Sequence, residues 1–371
     1  MRRVWTSPQP TFSVRCIESI AREVIITQLE DASSVSHSDE KSAPDRTPVR
    51  RGQFLADLPR FGMAGLLLLS IVGFSIVRPD SFATAANMRT VLVESAVLTI
   101  VALAVMIPLI ANDFDLSVAS VLGFTSILAA GLPARQGFSV PVTIVAVLAV
   151  GLVIGGVHSA LIVRFGLSPV VVTLGTGTIL SGLVLWYTGG KVIYEGIPSA
   201  LTDLGSKNVL GVPLPVIYMA VVAALLWFVL DRRPWGRYLY AVGSSETSAR
   251  LAGVQTDRVR MVALTACSTL CAFAGLVLTA RIGAGNPTIS GAYFLPAFAA
   301  AFLSLAAFKL GFFNPLGVVL SVYLLAVGVN GLTMLGAPFW VEPVFNGGAL
   351  IIAISLAQLS VGRSRRLMDA T

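Results

Sequence analysis

Residues 91–110 read VLVESAVLTIVALAVMIPLI, twenty positions with a single charged side chain, Glu94. As a helix rising about 1.5 Å per residue, that run is ~30 Å long, the hydrocarbon thickness of a bilayer. Further apolar runs lie at 60–77, 116–132, 140–163, 169–188, 213–230, 261–280, 292–308, 315–335 and 344–361. The runs at 116–132 and 292–308 are short or interrupted. The expected fold is therefore an all-α integral membrane protein. It would have about ten transmembrane helices, including broken or re-entrant segments, in two pseudo-symmetric halves.

Composition supports lipid as the solvent. Of 371 residues, 55% are hydrophobic and 12% charged, and the mean hydropathy is +0.83. Soluble domains carry about 25% charge. An ordinary cytoplasmic enzyme, a disordered protein and a nucleic-acid binder are all excluded. The net charge of +7 reports orientation in such a chain, and its placement matters more than its sum. With the N-terminus inside, 20 of the 26 lysines and arginines fall on the inner face and 6 on the outer. The positive-inside rule then puts both termini in the cytoplasm of a multi-pass protein of the cell membrane.

Three parts are expected. Residues 1–57 carry eight basic side chains against eight acids and, from Ala32 to Arg51, are rich in Ser, Pro and charge. Such a stretch buries too little apolar surface to fold and reads as a disordered cytoplasmic tail. Residues 58–362 form the membrane domain, and 363–371 a short cytoplasmic tail. Cys16, Cys267 and Cys271 make neither a disulfide framework nor a CxxC pair. Cys267 and Cys271, one helical turn apart in an apolar run, read as small buried hydrophobes.

Enzyme signatures are missing. Gly189-Gly190-Lys191 is followed by Val192 and lacks the upstream glycine of a phosphate loop. No HExxH or GxSxG occurs. His37 lies in the tail, and His158 stands alone in an apolar run as a packing residue. No catalytic residue, metal or cofactor is expected.

Three interruptions carry the functional signal. The first is Asn112-Asp113-Phe114-Asp115-Leu116-Ser117, between two apolar runs with almost no loop. Carboxylates there line water or cap a helix. Asp115 is placed to N-cap a half-helix starting at Leu116, and Pro108 helps end the preceding one. Either a broken helix beside a polar translocation path or a short extramembrane turn satisfies this pattern. The second is the loop from Asp231 to Val254. Ser244 or Ser245 can cap a short helix with Glu246 in its first turn, and Gly253 can end it. It is suited either to a soluble partner or to an idle surface. The third is Arg281-Ile282-Gly283-Ala284-Gly285-Asn286-Pro287-Thr288 before a short Ala-rich run, an echo of the first break. Gly151 and Gly155 form a small-xxx-small pair for close helix packing.

These blocks together resemble the membrane permease subunits of ribose-type sugar ABC importers, in the branched-chain permease superfamily. The matching residues are Asp115-Leu116-Ser117-Val118, Gly236-Arg237-Tyr238 through Gly253, Ala280-Arg281 with Pro287-Thr288, and Asn330-Gly331-Leu332. The resemblance covers about 60–362. The family usually has Gly-Gly-Ile where this chain has Asn112-Asp113-Phe114. It usually has Glu-Leu-Asp-Ala-Ile-Ala-Ala where Phe294-Leu295-Pro296-Ala297-Phe298-Ala299-Ala300 stands, and Gly-Gly where Ser304-Leu305 stands. The changes touch pathway positions and leave the solute open. The resemblance implies import of a monosaccharide of the ribose or xylose kind. It implies a translocation path through Asn112, Asp113, Asp115, Ser117, Asn286 and Pro287. An ATPase-coupling loop would comprise Gly236, Arg237, Gly243, Glu246, Ala249 and Gly253. The implied partners are a second permease subunit, identical or not, two ATP-binding subunits and an extracytoplasmic solute-binding protein. An ABC permease for branched-chain amino acids or another small solute is the alternative. A prenyltransferase fails because Leu116 occupies the last place of an Asn-Asp-x-x-Asp motif. A proton-coupled carrier is disfavoured because few acids lie mid-span, Glu94 being the main candidate.

Overall fold

The computed structural model describes residues 51–368. Residues 1–50, with Cys16 and His37, lie outside the described part of the chain. Thirteen α-helices are described. In chain order they are α1 (Arg51–Val77), α2 (Ala85–Ile110), α3 (Val118–Gln136), α4 (Val140–Ser159), α5 (Pro169–Thr188) and α6 (Ser199–Ser206). They continue with α7 (Leu214–Arg232), α8 (Pro234–Ser244), α9 (Glu246–Leu251), α10 (Thr256–Ile282), α11 (Gly291–Leu303), α12 (Pro315–Met334) and α13 (Val341–Met368). The described strands, Asn208–Val209 and Val212–Pro213, form one minimal hairpin. Its turn residues Leu210 and Gly211 have φ of 53° and 82°, as a primed turn requires.

The protein is an all-α, multi-pass integral membrane protein. Seven described helices are long and apolar enough to cross a bilayer: α2, α3, α4 with its extension to Arg164, α5, α7, α10 and α12. Three shorter apolar stretches, Phe61–Val77, Gly291–Ala306 and Val341–Ser355, fall where the other expected spans lie. Two helices outrun the composition boundaries: α1 begins at Arg51 and α13 runs to Met368. Hydropathy marks where lipid begins, whereas backbone hydrogen bonding carries a helix beyond it.

The core is built on α2 and α10. Every residue of α2 from Leu103 to Ile110 is buried, as expected for a helix that is apolar all round. The α2 span is 72% buried, against 22% for Val140–Arg164 and 28% for α5, so the latter two are peripheral. On α4, Gly151 and Gly155 face α10, where added Cβ atoms would lie 2.6 Å from Ala272 Cβ and Thr265 Cα. The small pair read from the sequence thus lets two backbones approach. Cys267 and Cys271 of α10 are fully buried free thiols.

Candidate functional site

The chain turns sharply between α2 and α3. The Asn112 N–H donates to Leu109 O (3.1 Å) and the Asp113 N–H to Pro108 O (3.0 Å), which closes a Schellman motif. Asn112 has φ of 61°, a left-handed conformation that asparagine tolerates far better than most residues. This explains how asparagine can stand where the resembling family has glycine.

Asp115 does not cap a helix starting at Leu116. The helix starts at Val118, with Ser117 at the N-cap position. Asp115 Oδ1 accepts from the Ser117 N–H (2.9 Å) and hydroxyl (2.6 Å). The Leu116 N–H donates instead to Thr173 Oγ1 on α5 (3.0 Å). The carboxylate therefore fixes an Asx turn just before the helix. Asp115 Oδ2 lies 3.7 Å from His158 Nδ1, and both side chains are fully buried. The ring also lies 3.5 Å from Ser268 Oγ. His158 is thus part of a buried polar cluster joining the turn, α4 and α10.

Asp115→Ala would leave two buried donors of Ser117 without an acceptor. The expected loss is about 2 kcal/mol of stability, read as a lower melting temperature of the purified protein. Asp115→Asn keeps an acceptor oxygen and should lose less than about 1 kcal/mol.

Asp113 faces the other way. Arg260 of α10 grips it with two bonds, Nε to Oδ2 (2.9 Å) and Nη2 to Oδ1 (2.7 Å). Asp113 is 2% exposed. Arg260 Nη1 also reaches Glu246 Oε2 at 3.6 Å, and Asn112 Nδ2 donates to Gly243 O at 2.5 Å. The α2–α3 turn is thereby clasped to α8, α9 and the start of α10. A Cβ on Gly243 would overlap the Ile110 carbonyl, and one on Gly236 would overlap the Leu230 carbonyl. Both glycines permit close approach. Gly243 lies inside α8. Gly253 does end that helix region, with φ of 83°.

The α8–α9 unit has an inward and an outward face. Ser245 accepts from the Ser248 N–H at 3.2 Å and caps α9, with Glu246 in the first turn. Ala249, expected to meet a partner, is buried at 5% exposure and packs into the core of this chain. The period of α9 turns it inward, into the same core as Leu239 and Val242 of α8, and presents Leu251 outward at 86% exposure. Arg237 is exposed. Tyr240 donates to Phe313 O, and Lys309 Nζ meets Asp231 Oδ1 at 2.6 Å, so the 307–314 segment shares this membrane face. Burial, and then the charge of Asp231, push the Tyr240 phenol above its ordinary value and keep it a donor.

The opposite end of the bundle holds a polar cavity of about 450 Å³. Glu94, Arg281, Tyr293, Asn330, Glu342 and Asn346 contribute its polar lining, from α2, α10, α11, α12 and α13. The Arg281 Nε–H is buried without a partner among the described residues. Asn330 exchanges amide hydrogen bonds with Asn87 at 3.1 and 3.2 Å, which fastens α12 to α2 beside the cavity. Asn112, Asp113, Asp115 and Ser117 do not line it. Sixteen residues of α2 separate Glu94 from Ile110, roughly 24 Å along the axis. Asn286 and Pro287 also stay outside, though Arg281 and Ile289 on either side line the wall. Asn286 instead accepts from the Thr288 N–H and hydroxyl, each at 3.0 Å. The sequence signal for the cavity was single charges inside apolar runs, Glu94 above all.

The bundle thus holds a polar hollow at one end and the clasped α8–α9 unit at the other. The family described as "Branched-chain amino acid transport system / permease component" matches residues 87–354. The chain belongs to this permease family. The permease is 30% identical over 313 residues to the ribose import permease of Bacillus subtilis, covering 84% of this chain and 96% of that one. It is 28% identical over 300 residues to the D-allose transport system permease of Escherichia coli, covering 81% and 92%. It is 29% identical over 325 residues to the fructose import permease of Rhizobium meliloti, covering 85% and 90%. No solved structure matches it significantly. The protein is a non-catalytic membrane permease of a sugar-type ABC importer, homologous to several monosaccharide permeases.

Proposed function

We propose that this permease carries a monosaccharide through the cavity around Arg281. It would act with a second permease subunit, two ATP-binding subunits and an extracytoplasmic solute-binding protein. The observation that carries the proposal is the cavity's lining: hydroxyl, amide, carboxylate and guanidinium groups around one hollow, a set suited to a polyhydroxylated solute. The unpartnered Arg281 N–H offers such a solute a donor. Ten spans with both termini cytoplasmic fit the seven long and three shorter apolar stretches. The two broken segments then lie on opposite faces. The Asp113–Arg260 bond joins the end of α2 to the start of α10, so these helices run antiparallel, as inverted repeats would.

Uptake of labelled ribose, allose and fructose into proteoliposomes holding the whole complex tests the proposal. Arg281→Leu is expected to cut uptake roughly tenfold, the loss of about 1.4 kcal/mol of ligand interaction. Import of leucine and of none of the sugars would replace this reading with the amino-acid alternative, for which a guanidinium and a carboxylate would hold the zwitterion.

The α8–α9 unit is proposed as the surface on which the ATP-binding subunit presses. Leu251→Asp leaves the core untouched but puts a charge where an apolar anchor would dock. Stimulation of ATP hydrolysis should fall about fivefold or more, as for the loss of an interface anchor worth 1–2 kcal/mol. Undiminished stimulation would move the docking surface elsewhere.

A further inference from the structure

A groove of about 720 Å³ shares no lining residue with the cavity around Arg281. Its walls are apolar residues of α4, α7 and α10, among them Leu152, Leu225, Leu226 and Leu270. Gly156 opens one wall, because an added Cβ there would meet nothing within 4 Å. A π-turn, Ala160–Arg164, ends α4, and Arg164 is the charged residue of the groove's lining. Such turns re-aim side chains out of helical register.

A second hollow of about 370 Å³ adjoins the first, with Val262 lining both. Its wall includes Trp235, Gln255 and Arg258. The Trp235 indole N–H is buried and has no partner among the described residues. Ser159 Oγ donates to Met261 O at 2.9 Å. Antiparallel α4 and α10 therefore bring Arg164 and Arg258, each a few residues beyond that bond, to the same membrane face. Among the described salt bridges, neither guanidinium has a carboxylate partner.

We propose that the two joined hollows bind one anionic phospholipid, its acyl chains in the groove and its phosphate between Arg164, Arg258 and the Trp235 N–H. The dimensions agree: from Leu152 to Arg164 is roughly 18 Å of helix, and one leaflet of hydrocarbon is about 15 Å deep. The chemistry agrees as well. Basic pockets between membrane helices attract anionic headgroups, and tryptophan favours the interface. A second copy of the chain is a poorer occupant, since it would have to bring carboxylates to two unpaired guanidiniums. The site is independent of the transported solute.

The test uses the full-length permease, purified, stripped of lipid and titrated with phosphatidylglycerol or phosphatidylcholine in mixed micelles. Native mass spectrometry reads the bound lipid, and melting temperature the protection. One phosphatidylglycerol is expected per chain, held about tenfold or more tighter than phosphatidylcholine. Arg164→Gln with Arg258→Gln should erase that preference. Gly156→Phe, which fills the groove from an open position, should weaken both lipids. Equal retention of the two lipids by the wild type would overturn the proposal. So would full protection by inorganic phosphate, which would make the site one for a free anion. Disulfide cross-linking of Gly156→Cys chains into dimers in native membranes would also overturn it, because the groove would then be a subunit interface.

Discussion

Asp113→Ala is expected to abolish coupled uptake. The substitution leaves the Arg260 guanidinium, 19% exposed in its side chain, without its two charge-assisted bonds. Removing one partner of a buried ion pair costs about 3–5 kcal/mol, because the remaining charge stays desolvated. Arg260 retains Glu246 at 3.6 Å, and it would swing toward that carboxylate. The α2–α3 turn would then be released from the start of α10, while α9 would be held more firmly. The measurement pairs melting temperature with sugar uptake and ATP hydrolysis in proteoliposomes. The expected pattern is lower stability, hydrolysis that no longer responds to loaded binding protein, and uptake at background. The exchange Asp113→Arg with Arg260→Asp restores the pair and should recover part of the uptake. Full uptake by Asp113→Ala would show that the clasp is structural and carries no signal.

Gly243→Leu should have the second largest effect. Any Cβ at this position overlaps the carbonyl oxygen of Ile110, a backbone atom at the end of the most buried helix. Neither element can give way locally, so α8 must lift from α2. Lifting it breaks the Asn112 bond to Gly243 O. Overpacking of this kind costs about 1–3 kcal/mol. The permease should still insert, since the spanning helices are untouched, but should lose the ATP-binding subunit on co-purification. Gly243→Ala tests the same overlap with the smallest side chain and should give a weaker form of this result. A Gly243→Leu protein that retains the subunit and full uptake would show that α8 does not transmit force through α2.

The candidate sites were legible only in part. The break at Asn112–Ser117 was visible because two carboxylates interrupt apolar sequence, a local signal. Its partners were not visible. Arg260 lies 147 residues from Asp113, and in the sequence it is one basic residue among several near the start of a span. Ala249 looked like a contact point because it is small and sits in a short surface helix. Which face of that helix turns inward depends on how α8 is seated on α2, and six residues are too few for a hydrophobic stripe to declare itself. The cavity is assembled from five helices contributing one or two polar residues each, and no single stretch carries its pattern.

By itself the sequence determined the solvent, the helical class and the approximate positions of the spans. In lipid every backbone polar group must bond within its own segment, so runs of sufficient apolar length can only be helices. It also determined the breaks, since Pro, Gly, Asn and Asp act within a few residues of where they stand. Only the tertiary structure decided what the breaks serve. Asp113 became part of a clasp, and a polar cavity formed at the other end of α2, because ion pairs and cavities form between helices. Their geometry is set by helix packing, through small residues such as Gly151, Gly155 and Gly243 that let particular backbones meet.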